Sequence, residues 1–117
     1  MPGISVHVVD VTQGLPAAGM QVTIHAGEGG ARRAIARGQI GASGAFVDPV
    51  NDGHGVAAGV HEIELAAGEF YRRIGAITDS PAFQEHVLYR FHVTDASQHY
   101  HLPIKISPWG LSIWRGR

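Results

Sequence analysis

The sequence predicts an all-β sandwich: one domain over residues 1–117, with two sheets of about eight short strands and one short helix. Three observations carry this. Apolar and polar residues alternate in run after run, the period-two pattern of a half-buried strand. Sixteen Gly and six Pro punctuate the 117 residues, as closely spaced turns require. A single stretch shows helical spacing. Many short strands with frequent turns must pack sheet on sheet to bury their apolar faces.

Residues 4–11 form the first expected strand. Ile4, Val6 and Val8 share one face and Ser5, His7 and Val9 the other. Thr12-Gln13-Gly14-Leu15-Pro16 reads as a turn. Residues 20–26 alternate again, with Val22 and Ile24 on one side. Residues 33–40 are rich in Ala and Arg, which suits a helix, but Gly38 and Gly41 argue for a strand. Ala42-Ser43-Gly44 is a hairpin-like turn. Residues 46–50 form a short strand closed by Asn51-Asp52-Gly53, and residues 59–66 another. Phe70, Ile74 and Ile77, at i, i+4 and i+7, predict a helix over 68–76, ended by Ser80-Pro81. Residues 85–94 form a long strand with Val87, Tyr89, Phe91 and Val93 on one face.

A net charge of −1 with neutral His leaves no electrostatic footprint for nucleic acid or an anionic membrane. No apolar run is long enough to span a bilayer. With no Cys there is neither a disulfide framework nor a thiol nucleophile, and no secretory leader is evident, so a cytoplasmic location is expected. No residue pattern calls for a cofactor. Eight His are many for this length.

The final stretch, HYHLPIKISPWGLSIWRGR, contains two strand-like runs around Pro108-Trp109-Gly110. Leu102, Ile104 and Ile106 alternate with His101, Pro103, Lys105 and Ser107. Beyond the turn, Leu111 and Ile113 alternate with Ser112 and Trp114. If the runs pair as a hairpin, His101, Lys105, Ser112 and Trp114 share one face, an unusual set for plain solvent contact.

This ending resembles the C-terminal signature of the transthyretin-related proteins, the 5-hydroxyisourate hydrolases, whose chains end close to HYHVPLLLSPYGYSTYRGS. The shared pattern is HYH, a Pro two residues on, SP-aromatic-G and an aromatic-RG ending. The opening HVVDVTQGLPAAG is similar to the family's HVLD, turn and G-x-P-A-A-G. The resemblance implies a transthyretin-like sandwich with the helix after the fifth strand. It implies hydrolysis of a ring amide in a purine-derived lactam, which needs a base for water and a cation or donors for the oxyanion.

The resemblance also implies site residues. The His of HVLD is matched by His7, and the second His of HYH by His101. The terminal aromatic-RG stretch is matched by Trp114, Arg115 and Arg117, expected with Ser112 to contact substrate. The family's Arg in a central DGR turn falls at Ala45, a loss of bidentate recognition. Arg37, eight positions upstream, is too distant along a strand to replace it. Lys105 stands where the family has an aliphatic residue, Trp114 where it has Tyr and Arg117 where it has Ser. Lys105 is therefore expected as the substitute cation that holds the oxyanion, or as a base or imine-forming amine.

Plainer readings stand beside these. His7 pairs with Asp10 on the surface; Lys105 guards an edge strand; Trp114 is packing. His99-x-His101 has a spacing found in zinc sites, but no third ligand stands at diagnostic spacing, so no metal is expected. His25, His54, His61, His86 and His92 match no motif and read as structural or surface residues. Ser112 lacks an Asp–His arrangement and suggests no triad.

The preferred reading is a hydrolase that opens a cyclic amide in 5-hydroxyisourate or a related heterocycle, such as a methylated urate derivative or another small lactam. Water is activated by His7 or His101. The alternative is a non-catalytic carrier of a small aromatic ligand in the same channel. A homotetramer, a dimer of dimers, is expected because Val9, Pro103 and Trp114 leave the outward face apolar.

Overall fold

A computed structural model describes residues 3–46, 50–51 and 56–116. Two sheets face each other. Strands β1 (Gly3–Asp10), β2 (Leu15–Pro16), β8 (His99–Ser107) and β9 (Gly110–Ile113) form the first in the order β2-β1-β8-β9, and β5 (Val50–Asn51) also pairs with β1. The second is β4 (Arg33–Gln39), β3 (Gln21–Ala26), β6 (Gly59–Leu65) and β7 (Val87–Val93), in the order β4-β3-β6-β7. A 3-10 turn, Gly29–Ala31, separates β3 from β4.

Alternation decides which side chains meet between the sheets. Ile4, Val6 and Val8 from β1 and Tyr100, Leu102, Ile104 and Ile106 from β8 are buried. Val22 and Ile24 of β3 and Ile63 and Leu65 of β6 pack opposite them. Each such side chain contributes about 1.5–3 kcal/mol when withdrawn from water. The odd-numbered residues of β1 and β8 consequently face outward.

The helix α1, Ala67–Arg73, lies after the sixth strand because the two-residue β2 adds one to the expected order. It also ends earlier than expected. Gly75, at φ +79°, stops it, with Gly75 N–H on Arg72 O at 3.0 Å and Ala76 N–H on Tyr71 O at 2.9 Å. Ile74 is then a cap residue, 37% exposed. Phe70 and Tyr71 anchor the helix in the core. The Tyr71 hydroxyl is shared between Asp10 Oδ1 at 2.9 Å and Ile106 O at 3.1 Å, tying the helix to β1 and β8.

The expected strand over 46–50 takes another form. Ala45 and Phe46 make single bridges to His7 and Ile40, Asn51 belongs to β5, and residues 47–49 lie outside the described residues. On the outer side of the second sheet, His25, Arg32 and His86 contact Glu64, while Arg90 bonds Glu62. His61 instead points inward, buried and stacked on Phe91.

Candidate active site

The site is built on the parallel pairing of β1 and β8. Their register sets Ser5 beside His101, His7 beside Pro103 and Val9 beside Lys105. The β8–β9 hairpin then sets Lys105 opposite Ser112. One outward face therefore carries Ser5, His7, His99, His101, Lys105 and Ser112. Successive outward residues on one strand are roughly 7 Å apart, so His7 lies diagonal to both His101 and Lys105. Trp114 follows β9 and is 42% exposed.

His7 has a defined tautomer. Its Nε2 lies 2.9 Å from the carbonyl oxygen of Ser43. A carbonyl only accepts, so Nε2 carries the proton and Nδ1 is the basic nitrogen of the neutral ring. The turn that supplies this carbonyl is stitched to β1 on both sides of His7, through Val8 N–H to Gly44 O at 2.9 Å and Phe46 N–H to Val6 O at 3.0 Å. Gly44, at φ +94°, passes over the ring. Ala45, which the resemblance sets at the family's Arg, is the bridge partner of His7.

His101 is held by Ser5, whose Oγ lies 2.7 Å from His101 Nδ1 and 2.7 Å from His99 Nε2. On its other side Gly116 N–H donates to His101 O at 2.7 Å. A side chain on Gly116 would press on the His101 ring and on Pro103, so glycine lets the chain cross here. Partial burial, with His99 and His7 nearby, holds the His101 pKa below the ordinary imidazole value. That shift favours the neutral ring.

Two plainer readings fail on geometry. Asp10 is fully buried on the opposite face of β1, where Oδ1 accepts from Thr12 N–H at 3.0 Å and Thr12 Oγ1–H at 2.6 Å, so it makes no surface pair with His7. Lys105 lies on β8, between β1 and β9, and is not an edge-strand charge. Its side chain is exposed.

Arg115 is not brought to this cluster. Its guanidinium stacks 4.1 Å over the Tyr100 ring and donates to Gln98 Oε1 at 3.1 Å and His99 O at 3.3 Å. Arg117 and His54 lie outside the described residues. Arg37 is on β4, in the other sheet. Among the described residues no three His, Cys, Asp or Glu side chains converge as a metal-ligand set, and no closed pocket covers this face.

Ser5, Gly44 and Gly116 had no assigned part on sequence grounds. Alternation already put Ser5 on the His7 face. Its partners on β8 follow only from the register of strands more than 90 residues apart.

Comparison with known proteins agrees with this architecture. The pattern of the HIUase/Transthyretin family matches residues 4–116. The 5-hydroxyisourate hydrolase 2 of Rhizobium meliloti is 37% identical over 113 residues, covering 97% of this chain and 94% of the relative. The 5-hydroxyisourate hydrolase of Ralstonia nicotianae is 34% identical over 99% of both chains. Among solved structures, 5-hydroxyisourate hydrolase of Klebsiella pneumoniae superposes with a TM-score of 0.81 at 26% identity over the full length of both. An (S)-allantoin synthase gives 0.88 at 25% identity; 98% of this chain aligns, spanning 43% of that longer one. With its sandwich, its outward histidines and its family pattern along nearly the whole length, the chain belongs to the HIUase/Transthyretin family.

Proposed function

We propose that this protein opens the ring of 5-hydroxyisourate or a closely related purine-derived lactam, using the outward face of β1 and β8. The chain is a hydrolase of its family, on the strength of full-length relatives of that name. The observation that carries the finer reading is the meeting of His7 and His101 across the parallel pair, with Lys105 and Ser112 in register beside them.

In this mechanism neutral His101 takes a proton from water through Nε2 as the water adds to the ring carbonyl. His7, fixed as the Nε2–H tautomer by Ser43, offers Nδ1 to a ring N–H of the substrate. The Lys105 ammonium stabilises the oxyanion of the tetrahedral intermediate. Collapse then breaks the ring C–N bond, and the His101 imidazolium returns the proton to the leaving nitrogen. Trp114 offers a flat surface against a planar heterocycle, and Ser112 a hydroxyl to its polar edge. The exposed face becomes a channel when dimers pair across it in a homotetramer, covering Val9, Pro103 and Trp114.

One observation favours a carrier instead: Ala45, where the family has Arg, adjoins His7. The test is an ultraviolet assay of freshly generated 5-hydroxyisourate and its N-methylated analogues. Acceleration over spontaneous decay, removed by His7→Ala and by His101→Ala with circular dichroism unchanged, is the expected result. No acceleration of any analogue, with tight binding retained, would establish the carrier.

A further inference from the structure

Three outward side chains form a line across β1 and β8: His99 Nε2, Ser5 Oγ and His101 Nδ1, with 2.7 Å at each step. A serine hydroxyl has one proton, so if it donates to one ring it accepts from the other. Two arrangements place the hydroxyl proton between the rings; in a third both rings donate to Oγ, which leaves His101 with Nδ1–H and a bare Nε2. In the first, His99 Nε2–H donates to Ser5 and Ser5 O–H donates to His101 Nδ1. His101 then carries its own proton on Nε2, and its free nitrogen cannot accept one. In the second, Ser5 O–H donates to His99 Nε2 and His101 Nδ1–H donates to Ser5. Here Nε2 of His101 is bare.

The arrangements respond differently when His101 is protonated. An imidazolium donates from both nitrogens. The second arrangement survives with no hydrogen moving, because Nδ1–H already points at Ser5. The first requires the hydroxyl to turn away from His101 and the new proton to arrive at Nδ1, the nitrogen that faces Ser5, because Nε2 is already protonated. A base that gains and loses a proton in every turnover is served by the second.

We propose that Ser5 and His99 are positioning residues that hold His101 as its Nδ1–H tautomer, leaving Nε2 as the atom that accepts the proton of water. The proposal rests on the reading of His101 as the base. Neither residue touches the reacting atoms; both act through the His101 ring. The relay reaches from β1 to both outward histidines that begin β8; Ser5 and His101 are half-covered and His99 is exposed. The lowered pKa of His101 agrees with a ring that is kept neutral between turnovers.

The test reads the tautomer directly. Full-length protein with ring-15N histidine is examined by long-range 1H–15N correlation, with His101 assigned by its disappearance in His101→Gln. Wild type is expected to show His101 as Nδ1–H. Ser5→Ala is expected to lose that preference and to lower kcat roughly tenfold with KM within about twofold, a fraction of a general base's full contribution. Ser5→Thr keeps the hydroxyl and is expected to retain the tautomer and most of kcat. An Nε2–H tautomer in wild type would overturn the proposal without any variant, and so would a tautomer unchanged in folded Ser5→Ala. A protein inert towards every lactam tried, yet with the Ser5-dependent Nδ1–H tautomer, would support the relay and overturn the hydrolase reading.

Discussion

Gly44 lies so close over His7 that a Cβ at this position would stand 2.6 Å from the imidazole Nε2. The same residue has φ +94°, where a side chain is strained in any case. The turn thus holds the ring by backbone contact on one side and by the Ser43 carbonyl at its tip. Gly44→Ala is expected to cost about 1–2 kcal/mol of stability. It should also lower kcat towards the level of His7→Ala. Urea unfolding and steady-state kinetics on the same preparation check both. Stability lost with kcat intact would mean that His7 tolerates movement.

Lys105 and Ala45 flank His7 from different sides, Lys105 by diagonal register on β8 and Ala45 as its bridge partner. If the ammonium holds the oxyanion in place of the absent guanidinium, Lys105→Met costs at least about 2–3 kcal/mol in transition-state stabilisation. Lys105→Arg does not restore it fully. Ala45→Arg raises kcat/KM by at least roughly tenfold, and Lys105→Met then costs less in that background. Additive effects of the two changes would show that the positions act separately.

Acid stability has two windows. Burial holds the pKa of His61 and of His101 below the ordinary 6.5, so the folded state binds fewer protons than the unfolded chain. Their contribution is complete above about pH 6.5 and is lost as pH falls through the lowered folded values. Glu85 is pulled down to about 2, chiefly by its hydrogen bonds from Arg72 at 2.7 Å and from Ala82 N–H. Its contribution is present above about pH 4.5 and disappears towards pH 2. Melting temperature against pH is expected to fall in both windows. His61→Leu should flatten the upper one and Arg72→Met the lower one.

In solution the outward face of β1, β8 and β9 is expected to be covered by a second copy. Sedimentation at micromolar concentration should give a tetramer. Trp114→Glu should shift it towards dimers and lower turnover together, because the channel walls are then lost. A wild-type monomer with full activity would exclude the shared channel.

Face assignment was legible in the sequence. Leu102, Ile104 and Ile106 are buried and His101 and Lys105 point outward, as period two requires. The strand over 33–40 was legible through its Gly residues despite Ala and Arg. Neighbour relations were not. Nothing local to Ser5 signals His99 and His101, and nothing in Ala42-Ser43-Gly44 signals that the turn will lie on His7. These depend on tertiary register, which is set by the core as a whole. The helix ends sooner than its spacing predicts, because the apolar spacing of Ile74 and Ile77 continues past Gly75, where the backbone turns left-handed. Arg115 has the right place in the resembling motif, yet it lies beyond the end of β9, where its guanidinium is spent on the Tyr100 ring, Gln98 and His99 O.

The parallel join of β1 to β8 sets when the site can exist during folding. Ser5 and His101 are 96 residues apart, and no short hairpin can bring them together. The loop entropy between them must be spent before either ring finds its partner. Sequential antiparallel pairs such as β8–β9 and β3–β4 need far shorter closures and can form first, whereas the β1–β8 seam belongs to the slow, non-local part of assembly, on the millisecond-to-second scale of all-β domains. A chain that has formed its local pairs but not this seam therefore carries its histidines and none of its site.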